Sequence, residues 1–288
     1  MVRIGVLMIL ILKEKQLMNN LKKYLILGSE GFVGKSLCEY LKNKGHDVYH
    51  YDIKIRPEQD ASKENLFLEK YDVIVFLAWD VGGSNYLYRK DTQLKQMHDN
   101  LELLKNVFSQ YERIDRNKTK IIFMSTQLSE KCDTVYGVTK RLGEVWGSMV
   151  GGLSFRLWNV YGPYESVTEK SHVISDFIHQ VFNSKKIKMQ TNGEEERQFI
   201  YIDDVCEAID YGVKNDIKGV YDITTYQWIK ILDVAHIISK NIGAEVIAGD
   251  IVGSTQNVLT KGRMLGWSPQ IGIENGLKKT IKEYEKYL

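Results

Sequence analysis

A tyrosine and a lysine four positions apart, Tyr136 and Lys140 in the segment YGVTK, have a spacing that predicts chemistry. On a helix this spacing places both side chains on one face and within mutual reach. A phenol with a pKa of about 10 is a poor base at neutral pH, but a neighbouring ammonium group favours the phenolate. Although the same spacing also occurs on solvated helix faces, Tyr136 is a candidate to exchange a proton with a substrate hydroxyl.

A hydroxyl side chain ends the apolar strand predicted for Lys120 to Met124. Thr126, or failing that Ser125, would lie at the carboxyl edge of the sheet, where ligands gather in open α/β folds. There its hydroxyl would orient the substrate oxygen beside Tyr136. A serine or threonine can also simply terminate a strand, so the prediction rests on the three residue types occurring together.

Three glycines lie at the junction of a short apolar strand, Lys23 to Leu27, with a helical pattern over Phe32 to Asn43. Gly28, Gly31 and Gly34 permit a tight turn and let backbone N–H groups approach a pyrophosphate. The position of this turn between strand and helix is typical of a dinucleotide-binding site.

An acidic residue, Asp52, follows the second strand-like run, Asp47 to Tyr51. It can accept hydrogen bonds from the ribose diol of an adenosine. The 2′-phosphate that distinguishes NADP from NAD would face the negative charge of this carboxylate, so the sequence favours NAD over NADP. Lys54 and Arg56 nearby leave NADP as the alternative.

A phosphate loop of nucleotide hydrolases is a competing interpretation, because Gly34-Lys35-Ser36 resembles the end of that motif. The motif requires four residues between its glycines, whereas five separate Gly28 from Gly34, and the position that should be glycine is Ser29. A turn that binds no ligand would leave Asp52 unexplained.

The elements that position these residues alternate between strands and helices. Strand-like runs at Asp47 to Tyr51, Asp72 to Ala78 and Leu153 to Leu157 are continuous rather than alternating, as in strands buried on both faces. Helices are predicted from about Thr92 to Glu112 and from Val135 to Met149. This order predicts an α/β fold of Rossmann type, with a parallel sheet between helix layers and a smaller C-terminal substrate-binding domain.

The predicted domains are an N-terminal extension (1–20), an NAD-binding domain (21–165) and the smaller domain (166–288), with 199–225 returning to the first. The apolar run Ile4 to Leu12 is about half as long as a membrane span. We therefore expect no membrane association.

Composition favours an ordinary globular protein of the cytoplasm, with 43% hydrophobic and 26% charged residues. Basic residues exceed acidic ones only by 39 to 37, which gives no support to nucleic-acid binding. The cysteines Cys38, Cys132 and Cys206 form no pair with metal-ligand spacing, so neither a disulfide framework nor a metal site is expected.

These motifs resemble those of the extended short-chain dehydrogenases/reductases, in the NAD-dependent epimerase/dehydratase group that modifies nucleotide sugars. The similarity runs from about Lys23 almost to the C-terminus and is carried by GSEGFVG, FLAWDVGG, MST with YGVTK, RLWNVYGP, ERQFIYIDDVCEAI and LGWSP.

The resemblance implies a nucleotide-sugar substrate, a homodimer formed through the helices near Thr92 to Glu112 and Val135 to Met149, and a set of ligand contacts. Besides the glycines and Asp52, the implied cofactor contacts are Phe32, Val33, Ile53, Asp60, Leu77, Ala78, Trp79, Asn100, Tyr136 and Lys140. By the same resemblance, Asn159 and Arg197 would contact the sugar nucleotide. Arg197 also suits a diphosphate physically, since a guanidinium can pair two of its oxygens. A surface salt bridge with Glu194 to Glu196 is the alternative for Arg197.

Two departures from the family pattern narrow the reaction. Dehydratases of the family carry an acid pair directly after the catalytic threonine, and Gln127 and Leu128 stand there instead. The similarity to GDP-fucose synthases is closer in VGG and in Ser171-His172-Val173, but Leu128 replaces the cysteine that those enzymes use for epimerisation. His172 is a candidate proton donor or substrate-binding residue.

The remaining prediction is redox chemistry at a sugar carbon, C4 by preference. In a dehydrogenase or reductase the ketone or alcohol leaves as product, whereas in a 4-epimerase a transient ketone is reduced on its other face. Thr126, Tyr136 and Lys140 would act identically in both. A catalytically silent dinucleotide-binding protein is a third hypothesis.

Overall fold

A computed structural model of the protein describes residues 21–165, 168, 170–255 and 260–287. The extension predicted for residues 1–20 lies outside the described residues.

A six-stranded parallel sheet forms the centre of the molecule, in the spatial order β10-β5-β4-β3-β1-β2. Its strands are β1 (Lys23–Leu27), β2 (Asp47–Tyr51), β3 (Val73–Phe76), β4 (Lys120–Thr126), β5 (Leu153–Leu157) and β10 (Gly219–Ile223). The four residues of β3 are all buried, as the continuous apolar pattern predicts for a strand covered on both faces.

Helices cover both faces of this sheet. The α-helices of the described residues, some of which pack on the short strands instead, are α1 (Phe32–Asn43), α2 (Ser84–Leu87), α3 (Gln93–Tyr111), α4 (Val135–Met149), α5 (Val173–Ser184), α6 (Ile202–Lys214), α7 (Ile231–Ile242) and α8 (Ile273–Tyr284). Alternate residues of β1 point to opposite faces: Tyr24 and Ile26 join the core under α1 and α6, whereas Leu25 and Leu27 join the core under α3. The predicted α/β fold with a parallel sheet between helix layers is therefore confirmed.

Six shorter strands lie outside the central sheet and form three pairs. They are β6 (Val160–Tyr161), β7 (Lys186–Lys188), β8 (Glu196–Gln198), β9 (Ile200–Tyr201), β11 (Trp228–Lys230) and β12 (Glu245–Ile247). β6 pairs with β9 and β7 with β12, both in parallel, while β8 and β11 are antiparallel. β10 belongs to the 199–225 segment and pairs with β5, whereas the division of the chain into domains stays a prediction.

Element ends differ slightly from the predicted ones. The strand expected over Asp72 to Ala78 ends at Phe76, because the N–H groups of Leu77 and Ala78 both turn to the Leu27 carbonyl, at 2.9 and 2.7 Å. The strand expected to stop at Met124 continues to Thr126. Within the described ranges, no helix combines the length and apolar composition needed to cross a bilayer.

Candidate active site

A cleft of about 1460 Å³ runs along the carboxyl ends of the central strands. On one side it is lined by the turn after β1 and the ends of β2, β3 and β4. On the other side, residues between Asn159 and Phe199 line it, so the cleft separates the main sheet from the segments around the short strands.

The turn after β1 is shaped by two glycines that admit no side chain. Gly28 has a φ of +90°, and a Cβ there would lie 2.6 Å from the backbone nitrogen of Ala78. A Cβ on Gly34 would lie 2.2 Å from the Gly28 carbonyl oxygen. α1 starts directly after Gly31 without a side-chain cap, so its first N–H groups are left for an anion.

Asp52, at the end of β2, is tied to this turn. One carboxylate oxygen accepts a hydrogen bond from the Glu30 N–H and the other from the Lys54 N–H, both at 2.9 Å. Each oxygen keeps a second lone pair, and the residue lines the cleft together with Ile53. The cradle of glycines, the uncapped helix and this acid fit a dinucleotide whose diphosphate lies on the turn and whose adenosine ribose reaches Asp52.

Most of the other predicted cofactor contacts also line the cleft, namely Phe32, Val33, Asp60, Leu77, Ala78 and Trp79. Asp60 is held by hydrogen bonds from Ser62 and an ion pair with Lys63, which outweigh its partial burial and lower its pKa. Their roles toward a ligand stay predictions.

Asn100 is placed differently from the prediction. Its side chain is fully buried and does not line the cleft. Its amide oxygen accepts from the Asp80 N–H at 2.9 Å and its amide nitrogen donates to the Asp80 carbonyl at 3.2 Å. Asn100 therefore fixes the backbone after β3, because both of its polar atoms are used on one peptide segment.

The three predicted catalytic residues lie together in the cleft, at the end of β4 and the start of α4. Thr126 caps the short 3₁₀ turn Gln127–Ser129: its hydroxyl accepts from the Leu128 N–H at 3.3 Å and donates to the Gln127 amide at 3.0 Å. α4 begins one residue before Tyr136 and is capped by Thr134.

The side chain of Lys140 turns toward Met124 and Trp79, which the spacing alone did not predict. Its ammonium donates to the Met124 carbonyl at 2.5 Å and lies 3.9 Å from the centre of the Trp79 ring. The Tyr136 ring is 5.9 Å away. Burial raises the pKa of Tyr136 to about 12, against an opposing effect of Thr126, and lowers the pKa of Lys140 well below its usual range. In this arrangement the ammonium faces a carbonyl and aromatic rings, so its support of the phenolate stays a prediction.

A buried ion pair lies directly behind the catalytic residues and was not predicted. Arg156 on β5 binds both oxygens of Glu144 on α4, each at 2.7 Å, and reaches Glu130 at 2.6 Å. Ser125 and Ser129, on either side of the Thr126 turn, both donate to Glu144 at 2.6 Å. Burial alone would raise the pKa of Glu144, but these hydrogen bonds hold it below its usual range. The sequence signal was the position of Glu144, one helical turn after Lys140.

The predicted sugar-nucleotide contacts line the opposite wall. Asn159 donates to the Gln198 carbonyl at 2.7 Å and so holds β8, which carries Arg197. Arg197 is half-buried and donates to the Glu196 carbonyl at 2.8 Å. In the described part of the chain it forms no ion pair, and Glu194 pairs with Lys230 instead. Burial lowers the pKa of Arg197, partly offset by the charge of Glu195.

His172 also lines the cleft, just before α5, and Glu165 is a partner that the sequence did not reveal. The Glu165 carboxylate accepts from the His172 backbone N–H at 3.1 Å, and it bonds the Nδ1 atom of the ring and the Ser175 hydroxyl. Burial opposes the charged ring, but the bond to Glu165 prevails and raises the pKa of His172.

A contact across the cleft joins its two sides and was likewise not predicted. Asp80, after β3, accepts from the Lys170 ammonium at 2.6 Å and from the Tyr86 hydroxyl at 2.7 Å. The Gly83 N–H donates to the Lys170 carbonyl at 2.8 Å. The double glycine after Val81 permits this contact, since a Cβ on Gly83 would lie 2.2 Å from the Ser171 carbonyl oxygen.

A Rossmann-type sheet with a glycine turn, and a Thr, Tyr and Lys set at the end of β4 and the start of α4, define a protein of the extended short-chain dehydrogenase/reductase class. The chain belongs to the NAD dependent epimerase/dehydratase family, whose model matches residues 24–224. NAD is accordingly its cofactor, and the glycine cradle and Asp52 fit that molecule.

Relatives of known name extend over nearly the whole chain. A UDP-N-acetyl-alpha-D-glucosaminuronate decarboxylase of Bacillus cytotoxicus is 24% identical, covering 92% of this chain and 98% of its own. UDP-glucuronate 4-epimerase 4 of Arabidopsis thaliana is 22% identical over 93% of this chain and 76% of its own. Among solved structures, WbmG of Bordetella bronchiseptica in complex with NAD and UDP has a TM-score of 0.74 at 19% identity, covering 93% and 96% of the two chains. The structural likeness establishes the shared fold.

Proposed function

We propose that the protein catalyses NAD-dependent oxidation or reduction at a carbon of a nucleotide-activated sugar, with C4 as the reacting carbon. The observation that carries this proposal is the meeting of Thr126, Tyr136 and Lys140 in the cleft that also contains the glycine turn. A dinucleotide on that turn and a hydroxyl at Tyr136 would share one cleft. The relatives that act on nucleotide sugars support the substrate class.

Each residue of this set has a distinct task. Thr126 orients the reacting oxygen, and Tyr136 takes its proton during oxidation or returns it during reduction. NAD, when bound, accepts or donates the two electrons. Because burial raises the pKa of Tyr136 to about 12, the phenolate needs positive charge beside it, which Lys140 and the bound nicotinamide would provide.

Arg197 supports binding of the diphosphate. Burial of the Arg197 guanidinium is only partly offset by the charge of Glu195, so an anion in the cleft would stabilise it further. Its fork geometry matches two diphosphate oxygens. GDP sugars are included in the test because VGG and Ser171-His172-Val173 resemble the corresponding segments of the GDP-fucose synthases.

A nucleotide-sugar 4-epimerase is the second candidate, because the residues after Thr126 argue against elimination from a transient ketone. Gln127 and Leu128 provide no acid or base to carry a ketone into elimination. The ketone would then leave as product or be reduced again. Glu165 and His172 form a further proton-donating pair in the cleft for either outcome.

The test is incubation of the purified protein with NAD and a panel of UDP, GDP, dTDP and CDP sugars. Reduced cofactor that accumulates with an oxidised sugar, seen by absorbance and mass spectrometry, identifies a dehydrogenase. An isomer of unchanged mass, assigned by NMR, identifies a 4-epimerase. If wild type turns over no sugar of the panel while it binds NAD, the silent dinucleotide-binding protein replaces the proposal.

Tyr136→Phe is the matched variant for this test. It keeps the ring and removes the proton, so turnover should fall by about 10²- to 10⁴-fold while NAD binding persists. Turnover that survives in Tyr136→Phe would contradict the proposed chemistry.

A homodimer is part of the proposal. Val138, Leu142, Val145 and Met149 form an exposed apolar stripe along α4, with Met149 78% exposed. Leu94 and Leu101 add exposed apolar surface on α3, which packs beside α4. A contiguous apolar face of this kind on a soluble fold is typical of an interface, and pairing of these helices with a second copy would cover it.

A further inference from the structure

The ammonium of Lys140 is surrounded by aromatic rings. Only 3% of the residue is exposed, and its hydrogen bond to the Met124 carbonyl is supplemented by the Trp79 ring at 3.9 Å and the Phe123 ring at 4.9 Å. Both distances are within the range in which a ring face attracts a cation. The charged end of the side chain therefore lies on aromatic faces at the inner end of the cleft.

Burial of an ammonium group costs desolvation free energy, and one hydrogen bond to a carbonyl does not offset that cost. The desolvation cost of an ion exceeds what one cation–π contact recovers, and tryptophan gives the strongest contact of this kind. Burial lowers the pKa of Lys140 far below its usual range, and the charge of Glu144 opposes that effect. The Trp79 ring acts in the same direction as Glu144, since it favours the charged form.

The groups around Lys140 leave Trp79 as the side chain that favours its charged form. On its own helix, the other ionisable groups are Tyr136, Arg141 and Glu144, and Glu144 is already paired with Arg141 and with Arg156 from β5. The ends of β3 and β4 face the ammonium with Trp79, Phe123 and the Met124 carbonyl, none of which titrates.

The Trp79 ring is held by packing rather than by its N–H group. It makes edge contacts with Phe76 and Phe123, at 6.0 and 5.6 Å between ring centres. Its indole nitrogen is buried and has no hydrogen-bond partner in the described structure. The orientation of the ring thus follows from the aromatic core, which presents its face to Lys140.

We propose that Trp79 is a positioning residue whose ring holds the protonated side chain of Lys140 beside Tyr136 until bound ligands offer it oxygen acceptors. This inference rests on the proposed roles of Tyr136 and Lys140. Trp79 would then set how much of Lys140 is charged in the ligand-free protein.

The first test reads the ring directly and needs no turnover. A unit charge 3.9 Å from an indole perturbs its emission, so the tryptophan fluorescence of the ligand-free protein should change in one step as Lys140 titrates. The step should vanish in Lys140→Met and in Trp79→Phe, and it should persist in Trp146→Phe, a ring stacked on Phe108. Absence of the step in wild type, or its survival in Lys140→Met, would overturn the inference.

The second test is the pH dependence of kcat/KM for NAD, which reports the free enzyme. The alkaline limb is the fall of kcat/KM at high pH. In Trp79→Leu, which lacks the ring, this limb should shift to a pH about one unit lower, and in Trp79→Phe the shift should be smaller. Trp146→Leu should leave it in place. A uniform loss of activity without a shift of the limb in both Trp79 variants would indicate a merely structural ring and contradict the inference.

The two tests separate this inference from the proposed function. Turnover that survives in Tyr136→Phe contradicts the proposed function. If turnover depends on Tyr136 but the alkaline limb does not shift in the Trp79 variants, only the role of Trp79 is contradicted. Trp79→Phe retains an aromatic ring against Phe76 and Phe123, which keeps the test usable if Trp79→Leu fails to fold.

Discussion

The carboxylate of Glu144 and the guanidinium of Arg156 form a two-point ion pair in which one side chain is 2% exposed and the other is fully buried. Through Ser125 and Ser129 the same carboxylate holds both ends of the turn that carries Thr126. The ion pair therefore joins β4, β5 and α4 behind the cleft.

Arg156→Met should lower the free energy of unfolding by about 3–5 kcal/mol, because it leaves the buried charge of Glu144 without its main partner. Denaturant unfolding at neutral pH measures this loss. Arg141→Ala is the control: Arg141 also contacts Glu144, at 3.1 Å, but it is 38% exposed and its loss should cost under about 1 kcal/mol. Equal losses in the two variants would refute the prediction.

Asp52→Asn should weaken NAD binding about tenfold while weakening NADP binding less. The amide oxygen can still accept one backbone hydrogen bond, but the charge that excludes a 2′-phosphate is gone. Titration calorimetry with both dinucleotides measures the two affinities. Asp47→Asn changes an exposed acid at the start of β2, bonded to Tyr49, and should alter neither affinity. An unaltered ratio of the two affinities in Asp52→Asn would count against the assignment.

Glu165→Gln should lower the pKa of His172, because the carboxylate that favours the charged ring is removed. In the wild type, the raised pKa contributes stability that is fully present below about pH 6.5 and is lost as pH rises through the folded-state value. That pH dependence should shrink in the variant. NMR titration of the His172 ring is the measurement, with Glu194→Gln as control, since Glu194 pairs with Lys230. An unchanged His172 titration in Glu165→Gln would contradict the pairing.

Leu142→Glu should convert the proposed dimer to a monomer, because it places a charge in the middle of the apolar stripe on α4. Size-exclusion chromatography with light scattering gives the molecular mass. Leu265→Glu changes an even more exposed leucine, 85% exposed, that belongs to neither α3 nor α4, and it should leave the mass unaltered. A wild type that is already monomeric would refute this part of the proposal.

Several elements could be predicted residue by residue. The strands Lys23–Leu27, Asp47–Tyr51 and Leu153–Leu157 and the helices Phe32–Asn43 and Val135–Met149 have the predicted bounds. They depend on local signals, namely apolar runs, helical spacing and glycines at a strand end. The class of cofactor followed from the same turn, because only a few residue types fit its geometry.

The sequence by itself determined the parallel α/β fold, the glycine turn with Asp52, and the presence of Thr126, Tyr136 and Lys140 at neighbouring strand and helix ends. Only the tertiary structure decided where polar atoms find their partners. Asn100 is turned to the backbone of Asp80, and Lys140 to Met124 and Trp79. The physical reason is that helical spacing fixes which face a side chain leaves, whereas its hydrogen bonds and its pKa depend on groups that arrive from distant strands.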